Sequence, residues 1–93
     1  MTESIIQLDK ACFICESPYI QVHHCIHGHG RRKLADKDGL VVYLCPAHHT
    51  GANGVHNNPN LDKFFKALAQ ETWQRHFGKS KDDFISRYGK NYL

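Results

Sequence analysis

Two pairs of metal-binding residue types lie far apart in the sequence, and each pair has a gap of two residues. The first pair is Cys12 and Cys15, and about thirty residues later comes the second, Cys45 and His48. A tight turn with this gap lets two side chains bind one tetrahedral ion, so two such pairs can complete one zinc site. The spacing therefore predicts a structural Zn²⁺ ion, against the alternative of free thiols at accidental spacing.

Four further histidines stay unexplained by this site, namely His23, His24, His49 and His56. Adjacent residues of a strand point to opposite faces, so His23 and His24 must have different surroundings. His49 directly follows the zinc ligand His48, which places it beside the first site. Each histidine taken singly is typical of an ordinary surface or core residue. Brought together, however, His23 and His49 would suit a borderline divalent ion with open positions for phosphate and water.

The size of the chain supports a metal site. It has 93 residues, including 4 cysteines and 8 histidines, and a formal net charge of +3. A hydrophobic core of this size contributes little net stability, so a staple is expected, and mixed Cys and His spacing favours a metal over disulfides. Neither a secretory signal pattern nor an apolar stretch of membrane-spanning length is evident. We therefore expect a cytoplasmic protein without a membrane partner.

The elements that must position these residues are short. Alternating apolar and polar residues predict a strand at 19–24, and an apolar run predicts a second strand at 40–44. Between them, residues 27–39 are rich in glycine and charge, which is typical of a polar loop. This segment carries the densest basic run of the chain, which is either a set of DNA phosphate contacts or a solvated face. The run consists of Arg31, Arg32 and Lys33.

The second half of the chain has helical patterns. Apolar residues at helical spacing predict the longest helix at 61–77, ended by Gly78. Ser80 and Asp83 resemble a capping box that opens a last short helix, which Gly89 ends. We expect the aromatic residues of these helices to form core rather than a base-stacking platform. They are Phe64, Phe65, Trp73, Phe77 and Phe84.

The order of these motifs resembles that of the HNH, or ββα-metal, nucleases. The family pattern is a zinc knuckle, a strand ending in Asp-His or His-His, a loop, a second strand, and Cys-x-x-Cys-His opening a helix. Here Val22-His23-His24 and Cys45-Pro46-Ala47-His48-His49 stand at the corresponding places, and the resemblance covers residues 12–56. It implies an α+β fold, a small zinc-stapled, treble-clef-like ββα-metal module with a C-terminal helical extension.

The resemblance also implies roles for single residues. His23 resembles the first ligand of the catalytic metal, His24 the general base, and His49 the ligand that closes the motif. His56, in Gly54-Val55-His56, corresponds to the third ligand. The implied cofactors are a structural Zn²⁺ ion and a second divalent metal, which is Mg²⁺, Mn²⁺, Ni²⁺ or Zn²⁺.

The middle asparagine of the family has no counterpart here. Gly39 and Leu40 occupy that stretch, and Asp38 is the nearest polar residue. Three functions therefore stay open. The first is an endonuclease that hydrolyses DNA phosphodiester bonds. The second is a catalytically silent zinc module that binds nucleic acid or a recombination or replication protein, and the third is a structural zinc protein.

The context of the nuclease hypothesis also comes from resemblance. The His23-His24 to Gly-Val-His run and residues 84–93 resemble small phage and prophage proteins related to RecA-dependent recombination nucleases. This similarity implies a role in phage or prophage DNA metabolism or recombination. The implied partners are DNA, contacted mostly through its phosphates, and a RecA-type recombinase filament.

The domain organisation follows from these boundaries. We expect a flexible N-terminal tail at residues 1–10 and the zinc-stapled HNH-type module at 11–57. Residues 58–93 are expected to form C-terminal helices that pack on the module within the same domain. Cys25 is unpaired in this scheme and is typical of a small buried residue.

Overall fold

The computed structural model describes residues 3–93. It has an α+β fold, as the sequence predicts. The two strands pair antiparallel, with His23 opposite Val42 and His24 opposite Val41. In chain order the elements are β1 (Gln21–His24), α1 (Arg31–Asp38), β2 (Val41–Leu44), α2 (Pro46–His49), a 3-10 turn (Val55–Asn57), α3 (Pro59–Phe77) and α4 (Lys81–Tyr88).

The prediction of a polar loop at 27–39 is wrong in its second half, because residues Arg31–Asp38 form helix α1. The glycines at both ends of the helix, Gly30 and Gly39, each have a φ of 77°. Gly39 ends α1 as a left-handed cap, and its N–H points to the carbonyls of Ala35 and Asp36. The residues between the glycines are mostly good helix formers. Glycines and charges that are typical of a loop are here the boundaries and the exposed face of a short helix.

The predicted ends of α3 and α4 are confirmed. Gly78 and Gly89 adopt left-handed backbone conformations, with φ of 62° and 80°. At the start of α4, Ser80 Oγ accepts a hydrogen bond from the Asp83 N–H at 3.1 Å, and Asp83 Oδ2 accepts one from the Ser80 N–H at 3.0 Å. This reciprocal pair is the capping box that the sequence predicts.

Helices α3 and α4 pack on each other through aromatic side chains, which share one hydrophobic core with residues of β2. The Trp73 and Phe84 rings are 5.5 Å apart, and Phe84 stacks on Tyr88 at 4.6 Å. The prediction that Phe64 and Phe77 are core residues is wrong, since they are 51% and 43% exposed. Adjacent helix residues diverge by about 100°, so burying Phe65 turns Phe64 outward. None of the helices within residues 3–93 has the length and apolar character needed to cross a membrane.

Residues 3–10 make specific contacts with the second strand, although the sequence predicts a flexible tail at 1–10. Ser4 is buried and donates a hydrogen bond to the Val41 carbonyl. Gln7 Oε1 accepts one from the Tyr43 N–H at 2.9 Å. A Cβ atom on Gly39 would lie 2.6 Å from the Glu3 carbonyl oxygen, so only glycine fits beneath this segment. Residues 1 and 2 of the predicted tail lie outside the described residues.

Asp38, at the end of α1, joins this helix to the two C-terminal helices. Its carboxylate accepts hydrogen bonds from Trp73 Nε1 at 2.9 Å, Tyr88 Oη at 2.6 Å, and Arg87 Nε and Nη2 at 2.6 and 2.8 Å. Burial opposes the charge, yet the bonds from Arg87, Tyr88 and Trp73 hold the pKa of Asp38 below its ordinary value. Asp38, the polar residue nearest to the place of the HNH asparagine, therefore has a structural role in this protein.

We expect Asp38→Asn to lower the free energy of unfolding by about 2–3 kcal/mol at neutral pH, because an amide cannot accept both Arg87 hydrogen bonds. Folding lowers the pKa of Asp38, so the stabilisation is present above the unfolded-state value of about 4 and is lost as the pH falls through the folded-state value. Urea unfolding of both proteins between neutral pH and about pH 2 measures the difference. Asp9→Asn, at an exposed position, is the control. A difference that stays constant into acid would contradict the prediction.

Candidate metal centres

The structure brings Cys12, Cys15, Cys45 and His48 into one cluster. The Sγ atoms of Cys15 and Cys45 are 3.7 Å apart, and His48 Nδ1 lies 3.6 Å from Cys12 Sγ and 3.2 Å from Cys45 Sγ. Sulfur and nitrogen ligands at zinc bond lengths stand about 3.5 to 3.8 Å apart in a tetrahedron. Two of the three distances lie in this range and the third is shorter. With a donor set that zinc prefers, this cluster could hold a metal ion such as zinc.

A tight turn after Cys12 presents the first two ligands. The Glu16 N–H donates to the Cys12 carbonyl at 2.8 Å, and Glu16 has a left-handed φ of 64°. The turn is attached to the second strand, because the Phe13 N–H donates to the Tyr43 carbonyl at 2.8 Å. Strand β2 thus holds the Cys-x-x-Cys turn next to Cys45, the residue that directly follows the strand.

The surroundings of Cys12 favour the ionised form of its thiol. Burial opposes ionisation, but backbone hydrogen bonds from Cys45, Cys15 and Ile14, with a side-chain bond from His48, lower the pKa of Cys12 to about 6. The thiolate is the form of cysteine that binds metal. Cys25 differs, because it is fully buried and burial raises the pKa of its thiol. Cys25 is therefore an inert core residue.

The consecutive residues His48 and His49 of helix α2 belong to two different clusters. Cys45 stands at the N-cap position of the helix without a side-chain cap, and Pro46 begins the first turn, where no N–H is needed. Neighbouring helix residues diverge by about 100°, so His48 joins the cysteines while His49 faces away from them. His49 instead joins a second cluster with His23 and His56, and the two clusters share no residue.

In this second cluster, one ring nitrogen of each histidine lies within 4.8 Å of the others. The Nε2 atoms of His49 and His56 are 2.9 Å apart, and the His23 ring lies 5.3 Å from each of the other two rings. His23 is 2% exposed, and its buried Nε2 has no hydrogen-bond partner among residues 3–93. Such an atom is costly. A cation bound by the three imidazoles would supply its partner.

The electrostatics also fit a cation. Burial, and then His49 and His56, lower the pKa of His23 to about 3, and burial lowers the pKa of His49. A histidine binds metal only in the neutral form. Gln21 Oε1 lies 2.7 Å from His49 Nδ1, so this nitrogen carries the proton and Nε2 keeps its lone pair for the cluster. An all-imidazole donor set suits a borderline divalent ion.

His24 borders the same depression but lies outside the three-histidine cluster. The depression has a volume of about 320 Å³ and is lined by both His23 and His24 together with Arg32. His24 Nε2 lies 3.1 Å from Asp36 Oδ1, while Arg32 Nε approaches His24 Nδ1 at 3.4 Å. The Asp36 carboxylate therefore fixes the orientation of the imidazole through Nε2, and the lone pair of Nδ1 faces Arg32 Nε.

The three predicted DNA-contacting residues lie on α1, and the structure separates them. Arg32 and Lys33 line a depression that also includes His24. Arg31 reaches the turn after α4, where a Cβ atom on Gly89 would lie 3.3 Å from its Nη2. Two of the three basic side chains are thus next to the histidines.

Sequence reasoning missed Gln21 and Asp36, which hold His49 and His24. Gln21 lies two residues before His23 and therefore on the same face of β1, a spacing that could have pointed to it. Asp36 lies four residues after Arg32, so both residues share one face of α1 and can contact the same His24 ring. The sequence does not predict this helix, and the relation could therefore not be recognised.

Comparison of the chain with family models, curated proteins and solved structures finds no match. Its class is therefore defined by its fold and its side chains, as an α+β protein with two candidate metal centres of different donor type. A closed set of cysteines and histidine is typical of structural zinc. An imidazole set with open positions is typical of catalytic metals.

Proposed function

We propose that this protein is a metal-dependent HNH-type endonuclease that hydrolyses DNA phosphodiester bonds. One observation carries the proposal, namely that a three-histidine cluster and a separate histidine held by Asp36 border one depression. The first group suits a metal ion and the second suits a general base. The resemblance of residues 12–56 to the HNH nucleases supports the same assignment.

The order of the elements supports a treble-clef-like ββα-metal module. Strand β1 carries His23 and His24, and β2 leads directly into Cys45. Helix α2 carries His49, and the 3-10 turn that follows carries His56. The cluster of three cysteines and His48 is assigned to a structural zinc that holds the first turn against α2.

His23, His49 and His56 would hold the second metal, with Mg²⁺, Mn²⁺, Ni²⁺ and Zn²⁺ as candidates. A divalent ion held by these three residues would polarise the scissile phosphate and would stabilise charge on the leaving oxygen. Imidazole ligands favour the later transition metals over Mg²⁺.

His24 acts as the general base in this proposal. Asp36 Oδ1 accepts a hydrogen bond from His24 Nε2–H, so the imidazole keeps its lone pair on Nδ1. The 3.4 Å contact from Arg32 to Nδ1 is long for a hydrogen bond, and a phosphate oxygen is a better acceptor for a guanidinium group. Substrate therefore draws Arg32 to the phosphate and frees Nδ1. Nδ1 then accepts the proton of the water that attacks phosphorus, the bond to the 3′ oxygen breaks, and that oxygen is protonated from solvent.

DNA is the partner that the surface near His24 suits. Arg32 and Lys33 would neutralise phosphates beside the scissile bond without reading sequence. Arg31, which reaches the Gly89 turn, is assigned a lesser share. A role in phage or prophage recombination, with a RecA-type filament as partner, rests on the resemblance of the chain alone.

We expect the purified protein to convert supercoiled plasmid to nicked and linear forms only when a divalent metal is supplied. The assay compares Mg²⁺, Mn²⁺, Ni²⁺ and Zn²⁺ with a chelator. His76→Ala, at an exposed histidine outside both clusters, serves as a control that keeps activity. DNA binding without cleavage in any of these metals would instead favour the catalytically silent zinc module.

A further inference from the structure

The depression at the three histidines shares lining residues with depressions on both sides of it, and we call this row of depressions the groove. On one side it adjoins the depression lined by the two basic residues of α1. On the other side it shares His27 and His56 with a second depression. That depression shares Pro59 and Asp62 with a third one, which lies against the C-terminal segment.

The far end of this groove is basic. Lys63 and Lys66 of α3 and Lys90, which follows α4, line a depression of about 390 Å³, and we call these three residues the lysine patch. The Nζ atoms of Lys66 and Lys90 each lie 5.7 Å from the centre of the Tyr92 ring. Cation–π attraction at this distance places the two ammonium groups around one aromatic ring.

A buried glutamine fixes the patch. Gln70 of α3 is fully buried, and its Nε2 donates to Asn91 Oδ1 at 2.8 Å. Its Oε1 accepts from the Tyr92 N–H at 2.6 Å. Residues that follow α4 are therefore attached to the helix that carries the other two lysines. The patch is an arrangement set by the core rather than a chance meeting of surface side chains.

The positive charge of the patch is largely uncancelled. Asp62 is the acidic side chain that lines this end of the groove, and it is engaged by Lys66 at 2.7 Å and by His27 at 3.1 Å. Lys63 and Lys90 form no ion pair within the part of the chain that the structure describes. Two ammonium groups that no carboxylate side chain pairs with thus line the groove beside a neutralised carboxylate.

We infer that the lysine patch binds backbone phosphates of the substrate strand at a distance from the bond that is cut. The substrate is then a polynucleotide that runs along the groove, rather than a mononucleotide or a small phosphate ester. This inference rests on the proposed nuclease function. Contacts on both sides of the histidines would hold the strand so that its scissile phosphate lies at the cluster.

The test is the salt dependence of DNA binding by the double variant Lys63→Gln/Lys90→Gln, which leaves Lys66 in place to neutralise Asp62. Each lysine–phosphate contact releases counterions, so its loss flattens the dependence of log affinity on log salt. Fluorescence anisotropy with a duplex of about 30 base pairs, at about 50 to 200 mM salt, measures the slope. The protein is loaded with zinc, and a gel checks that the duplex stays intact.

We expect the slope to flatten by about 1.5 to 2 units in the groove variant. The matched control Lys79→Gln/Lys81→Gln removes the same charge from exposed positions near the start of α4 and should keep the wild-type slope. An unchanged slope in the groove variant, or equal flattening in both variants, would overturn the lysine patch while plasmid cleavage upholds the nuclease. Failure of the wild type to bind DNA would overturn both proposals.

Discussion

Cys12→Ser and Cys45→Ser should each abolish the cooperative thermal unfolding of the protein. The site is not formed in the unfolded chain, so the free energy of metal binding adds to the free energy of folding. For structural zinc in small proteins this binding free energy is about 10–16 kcal/mol. The free energy of unfolding of a chain of 93 residues is too small to offset a loss of that size. The four proposed ligands lie in the Cys12 to Cys15 turn, at the N-cap of α2 and within α2, so we expect the loss of one ligand to detach the turn from the helix. Circular dichroism melts with metal analysis of each protein measure the effect.

Cys25→Ala is the matched control for the cysteine variants, because Cys25 is buried but belongs to neither cluster. It should keep the metal content of the wild type and lose only the stability expected from a small cavity. A chelator should unfold the wild type and the control alike. A Cys12→Ser protein that melts cooperatively near the wild-type temperature would remove Cys12 from the metal site.

The sequence predicts those parts of the fold that local signals define. The capping box of Ser80 and Asp83 and the glycines after α3 and α4 act within one helical turn, so they can be recognised without tertiary information. The start of α1 lacks such a signal, since Gly30 makes no side-chain cap. The Ser4 contact with Val41 joins residues 37 positions apart, and no spacing rule points to it.

The candidate sites also divide into those that local spacing predicts and those that only the packing of the helices creates. Pairs such as Cys12 and Cys15 lie on one turn, so their spacing carries the prediction. Lys63 and Lys90 are brought into one groove by the hydrogen bonds of Gln70 to the C-terminal segment. That relation depends on how α3 and α4 pack, which the hydrophobic pattern alone does not define.

The adjacent residues His23 and His24 illustrate how one strand can supply two kinds of histidine. Burial, and then the neighbouring imidazoles, lower the pKa of His23 to about 3 and keep it neutral, which is the form that a metal ligand needs. His24 has a carboxylate neighbour, and its side chain is 14% exposed. The alternation of side chains along β1 places one imidazole towards the cluster and the other towards α1. Their substitution should therefore have different consequences.

Replacing one of the three proposed ligands His23, His49 and His56 should lower cleavage and metal affinity together. His56→Ala is the most informative of these variants, because His56 is exposed and its loss leaves the core intact. His49→Ala and His23→Ala should behave alike, since each removes one of three ligands. Raising the metal concentration should restore part of the cleavage, and isothermal titration measures the affinity directly. Wild-type metal affinity in His56→Ala would remove His56 from the ligand set.

His24→Ala should instead keep both metals and the thermal stability while plasmid cleavage falls about a hundredfold or more, as expected for a lost general base. Added metal should not restore this variant, whereas added imidazole, which can replace the missing base in the space left by the side chain, should restore it in part. Asp36→Asn should give a smaller loss, since it removes the carboxylate that orients Nε2 but leaves the base. Both variants are assayed beside a mock preparation that controls for contaminating nuclease. Full cleavage by His24→Ala in every metal would contradict the mechanism, and DNA binding without cleavage by the wild type would favour a binding module.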